Sequence, residues 1–186
     1  MVPLTSLWAP ILLSAVIVFV ASSIFHMVLP FHRKDYKKLA AEDEVMAALR
    51  PFAIPPGDYV VPLALPPARM DSPEFLEKMN KGPVMMMTVM PSGPPALGMT
   101  FGLWFAFCVV AGIFAGYVAG RALGPGAPYL DVFRFVGTVA FVGYSLALSQ
   151  VSIWYKRSWG TTLRSTIDGL IYGMLTAGTF GWLWPK

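Results

Sequence analysis

The stretch Met99–Leu123, MTFGLWFAFCVVAGIFAGYVAGRAL, decides the fold. It is almost wholly apolar, and its one charge, Arg121, stands near its end. A helix rises 1.5 Å per residue, so about 20 apolar residues cross a bilayer core. This run is long enough, and the Gly124-Pro125-Gly126 turn closes it. Within it, Gly112, Gly116 and Gly120 recur every fourth residue, with Ala111, Ala115 and Ala119 beside them. Small residues at that spacing make a smooth ridge on which another helix can approach closely in lipid.

Three further runs have the same character. Leu7–Leu29 is closed by Pro30. Val132–Trp154 is ended by Lys156 and Arg157. Ile167–Trp184 is extended by Ser165 and Thr166 to 165–184. The whole chain is 56% hydrophobic and 13% charged, about half the charge of a soluble domain. The fold expected is all-α and membrane-embedded: a four-transmembrane-helix bundle with one long, partly ordered polar loop between helices 1 and 2. Residues 1–29 form the first helix, 30–98 the loop or cap, and 99–186 a three-helix unit with helices near 99–123, 132–154 and 165–184. The first run lacks a basic front and is long, so it reads as a retained anchor rather than a cleaved signal peptide.

Lys and Arg set the orientation. Arg33, Lys34, Lys37, Lys38, Arg50, Arg69, Lys78 and Lys81 fall in the first loop, and Lys156, Arg157 and Arg164 in the third. The opposite side holds only Arg121, Arg134 and Lys186. Loops 30–98 and 155–164 are therefore expected in the cytoplasm, with both termini outside. The net charge of +4 follows the span ends, a membrane pattern rather than a nucleic-acid-binding one. The single cysteine, Cys108, excludes an intrachain disulfide and a thiolate metal cage.

The polar loop has local signals. KDYKKLAAEDEVMAALR (34–50) reads as a short amphipathic helix near the membrane surface. IPPGDYVVPLALPP (54–67) reads as extended and punctuated by proline. In DSPEFLEKMNKG (71–82), Ser72 caps a short helix, Pro73 opens it and Gly82 ends it. PVMMMTVMP is an extended strand or an interfacial segment. The loop holds too little apolar material for a core of its own. The six tryptophans lie near the proposed span ends, where indole rings favour the water–lipid boundary.

The fourth run repeats the small-residue device with Gly169, Gly173, Ala177 and Gly181. The third adds Gly143 with Ala147, and a strip of Ser145, Ser149 and Ser152. The ridges read as internal packing faces, with docking of another subunit as the alternative.

Candidates for chemistry are few. Asp168 stands three residues after Ser165, a capping-box spacing, with Arg164 near enough to pair; it reads as the start of a helix. Asp131 and Arg134 read as a boundary ion pair. Gln150 reads as glue between spans. His26 lies in the last turn of the first span and reads as an interfacial histidine bonded to a carbonyl. Haem would need a histidine on another span, and the chain has only His26 and His32, so no haem is expected. Met85–Met90 holds thioethers of the kind that bind Cu(I), but methionine also packs adaptably, and copper is not expected. No phosphate loop, HExxH or nucleophile elbow is present, so no catalytic residue is assigned.

MVLPFHRKDYKKL, PPGDYVVP, AGRALGPGAPYL, SIWYKRSW and STIDGLIYGMLTAGTFGWLWPK together resemble a family of uncharacterised small four-span bacterial membrane proteins. That resemblance implies a bacterial inner membrane and no activity. The function expected is an accessory or assembly subunit of a membrane complex, with the bilayer and other membrane subunits or itself as partners and no nucleic acid. A small homo-oligomeric transporter or channel around the serine strip is the alternative. A membrane-surface enzyme using Asp58 and Asp71 ranks third.

Overall fold

The computed structural model describes residues 1–66 and 69–186, so Pro67, the end of the extended stretch, lies outside the described residues. The chain forms two compact units: Met1–Lys37 with Ala96–Lys186, and Lys38–Pro95.

The first unit is helical. Helix α1 (Trp8–Ser23) follows a short 3₁₀ turn, and Pro10 falls in its first turn, where a missing N–H leaves no bond unmade. It widens at its end into a π turn over Ile24–Val28, closed by the Leu29 N–H on the Ile24 carbonyl at 3.0 Å. Pro30 forces Leu29 into extended backbone and ends the helix. The chain then folds back through a 3₁₀ turn, Pro30–His32.

Two helices of the second unit, α2 (Glu42–Leu49) and α3 (Pro73–Lys81), and its strands β1 (Gly57–Val61) and β2 (Met85–Val89) precede the long helix α4, Leu97–Ala122. After the Gly126 turn come α5 (Tyr129–Tyr144), α6 (Ser149–Tyr155) and α7 (Trp159–Trp182). The third run is thus not one rod: it breaks at Ser145 and passes through a 3₁₀ turn, Leu146–Leu148. The break sits where Ser145 meets Gly169 of α7 so closely that an added Cβ there would lie 2.5 Å from the serine Cβ.

Helix α7 packs most extensively on α5, and α1 packs on both α4 and α7. Leu7, Val18, Val132, Val136, Ala140, Ala177 and Phe180 are fully buried between them. The glycine ridges lie inside this packing. Gly112 and Gly116 face Ile11 and Leu7, and Gly116 also meets the Phe180 ring. At Gly120 a Cβ would lie 2.6 Å from the Val2 carbonyl. On α7, Gly173 faces Phe141 and Gly181 faces the Tyr129 ring. Gly98 and Gly102, on the first turns of α4, have open space beside them.

Three helical segments are long and apolar enough to cross a membrane: Leu4–Val28, Leu97–Ala122 and Tyr129–Tyr155. Helix α7 has 24 residues, but its glycines and threonines, with Arg164 and Asp168, make it less apolar. It begins at Trp159, ahead of the expected start at 165. The Thr161 and Thr162 amides bond the Ser158 carbonyl, and the Thr162 hydroxyl meets that of Ser152 at 2.6 Å. These contacts draw the helix back toward α6. Two tryptophans are tied to polar partners. Trp104 donates to the Ser22 hydroxyl at 2.7 Å, and buried Trp184 donates to the Gly124 carbonyl at 3.0 Å.

In the second unit β1 and β2 pair antiparallel, with Gly57 opposite Val89 and Val61 opposite Met85. Met85–Val89 is therefore a strand. Helix α3 is capped by Ser72, which accepts from the Phe75 N–H at 3.2 Å, and ends at Gly82 with φ +60°. The helix expected across 34–50 is limited to α2, which opens on Glu42, Asp43 and Glu44, suited to the positive helix end. None of the described residues between 38 and 95 is buried.

Candidate functional site

Five polar residues of the first unit converge where α1 ends. His26 comes from the π turn, His32 and Asp35 from the segment after Pro30, and Arg164 and Asp168 from α7. Local structure explains the meeting. The widened turn at 24–28 and the fold-back at Pro30 bring two rings six residues apart into a stack, with centroids 4.1 Å apart. π turns inside helices recur at functional sites.

His32 is the centre. Its Nδ1 donates to Asp35 Oδ2 at 2.7 Å, and its Nε2 lies 2.9 Å from Asp168 Oδ2. The second contact is close, yet Nε2 is buried without a hydrogen-bond partner. His26 Nε2 approaches the same Asp168 oxygen at 3.9 Å. Arg164 Nε donates to Asp35 Oδ1 at 2.6 Å, and its NH2 group lies 2.5 Å from that oxygen. Side chains of Asp168, Asp35 and His32 are 6%, 8% and 10% exposed, whereas His26 is 51% exposed.

Burial opposes ionisation of Asp35, but hydrogen bonds from His32 and Arg164, with the Arg164 charge, outweigh it and hold this carboxyl below its ordinary range. His26 also lines a crevice of about 310 Å³ with Ser22, Ser23, Met27, Thr100, Phe101 and Trp104. Beyond the cluster, the Tyr172 hydroxyl, one turn after Asp168, is buried without a partner.

Several expectations from the sequence are corrected here. Asp168 is no helix cap, since α7 starts well before it and Asp168 is buried inside. Arg164 pairs with Asp35 rather than Asp168. His26 faces His32 and a carboxylate rather than a carbonyl. Gln150 is exposed on α6 instead of bridging spans. Asp131 and Arg134 form an exposed pair at 3.3 Å, away from the cluster. Asp58 accepts from the Thr88 hydroxyl across the strands, and Asp71 pairs with Arg69 in the open. Asp35 and His32 were not legible as site residues, because a basic run surrounds them and helical periodicity stops at Pro30.

The chain matches no protein-family model, no curated protein and no solved structure.

Proposed function

We propose that this protein is a four-span bacterial inner-membrane protein that works as an accessory or assembly subunit of a membrane complex. In this reading α7 is the fourth span, both termini lie outside, and residues 30–98 and 155–164 face the cytoplasm. The observation that carries it is the unit 38–95. It has two helices and a two-stranded sheet, yet none of its described residues is buried. A two-stranded sheet without a core is marginal by itself. Exposed Val45, Met46, Leu49 and Phe52 then serve to meet a partner subunit.

The cluster supports this role by ordering the segment that runs up to that unit in the chain. Arg164 and Asp168 hold the segment 30–37 onto α7 through Asp35 and His32. The serine strip does not favour a conduction path, since Ser145 and Ser152 are buried.

The test is a photo-crosslinking residue at Phe52, followed by native mass spectrometry of gently extracted membranes. A reproducible crosslink to one other membrane protein, lost with Leu49→Glu, is expected. Crosslinks only between copies of this chain would move the homo-oligomeric transporter to the front.

A further inference from the structure

The His26–His32–Asp168 cluster gathers two imidazoles around one buried carboxylate, while the nearby guanidinium of Arg164 is committed to Asp35. Asp35 takes the Nδ1 proton of His32, so a neutral His32 turns the lone pair of Nε2 toward the side of Asp168. An ionised carboxylate only accepts. Two acceptors 2.9 Å apart need a shared proton or a bound cation between them.

A proton on Nε2 would be held by a directed N–H···O bond, whereas Nε2 is buried without a hydrogen-bond partner. A proton also gives no role to His26, whose Nε2 converges on the same oxygen. The three donor atoms all lie within 4.8 Å of one another. Ligands bound at about 2.0–2.2 Å around a tetrahedral ion sit about 3.3 Å apart, so half-exposed His26 must swing its ring out of the stack on His32 to aim Nε2 at the ion.

We propose that His26, His32 and Asp168 bind one divalent first-row transition cation of the Zn²⁺ class. Two imidazoles and one carboxylate suit that class better than Mg²⁺ or Ca²⁺, and no thiolate is available to favour a softer ion. Asp35 is a positioning residue: it fixes the His32 tautomer with Nε2 free, as carboxylates do for metal-bound histidines, and Arg164 fixes Asp35 in turn. Three protein ligands leave a fourth position for water.

The test uses the full chain in detergent, without a histidine tag, stripped with chelator and titrated with Zn²⁺ by calorimetry and with Co²⁺ by visible absorption. One ion per chain is expected, with tetrahedral Co²⁺ bands. His26→Ala and Asp168→Asn should each weaken binding at least tenfold. Because His32→Ala removes a buried side chain and risks misfolding, Asp35→Asn is the companion variant. It should fold, weaken binding about 10–100-fold and alter the Co²⁺ spectrum. Failure of the wild type to take up one equivalent, or unchanged affinity in both His26→Ala and Asp168→Asn, would overturn the proposal.

Discussion

Asp168 of α7 and His32 beyond the end of α1 meet at 2.9 Å, although most of the chain separates them in sequence. This contact, with its neighbour between Arg164 and Asp35, fastens the first helix to the last at their polar ends. The ties are buried, so breaking one leaves an uncompensated polar group rather than a solvated one.

Asp168→Ala should therefore destabilise the bundle by about 1–3 kcal/mol, the usual cost of leaving a buried polar group without its neighbour. Thermal unfolding in detergent measures this. An effect within the range of ordinary surface substitutions would show that the contact contributes nothing.

Arg164→Lys keeps the charge but loses the planar fork that holds Asp35. The segment 30–37 should then open locally while the helices stay intact. Faster trypsin cleavage after Arg33 and Lys34, at an unchanged melting temperature within a few degrees, is the expected outcome.

The Asp35 carboxyl is held below its ordinary range, which fixes the sign of its pH dependence. A carboxyl lowered on folding contributes stability fully above its unfolded value of about 3.9 and loses it as pH falls through the lower folded value. Protection of 30–37 against hydrogen exchange should be constant from neutral pH down to about 4 and fall only in stronger acid. In Asp35→Asn that acid-dependent loss should vanish.

Glycines on two faces should respond oppositely. A Cβ at Gly169 would lie 2.5 Å from the Ser145 Cβ, so Gly169→Ala should cost about 1–3 kcal/mol through overpacking. At Gly102 nothing lies within 4 Å, and Gly102→Ala should be neutral or stabilising by about 0.5–1 kcal/mol. Denaturant titration of the two variants side by side decides it.

Orientation can be read with single cysteines in a Cys108→Ala background. Gly126→Cys should label from outside and Ser158→Cys only from the cytoplasm. Labelling of both from one side would remove the α5–α6 segment from the set of crossings.

The helices were legible because apolar runs of this length have few alternatives in water or lipid. Ser72, Pro73 and Gly82 marked α3 because capping chemistry is local. The break at Ser145 was not legible: it depends on the approach of α7 at Gly169, a contact with no local signature. The site was hidden for a similar reason. Ser165-x-x-Asp168 imitates a helix start, and only the contacts of Ser158, Thr161 and Thr162 show that the helix had already begun. His32 and Asp35 lie past Pro30, where periodicity carries no information about what they face.

The open space beside Gly98 and Gly102 divides the labour of α4 along its length. Its far half, from Gly112 to Gly120, is already occupied by Ile11 of α1, by Val2 and Leu7 ahead of it, and by Phe180 of α7. Its near half keeps an unfilled furrow, continued by exposed Ala106, just where the chain returns from residues 38–95. A visiting helix would find a close seat there, backbone against backbone. Recognition in the aqueous phase and anchorage in the bilayer would then be neighbours on the sequence, and one partner could satisfy both.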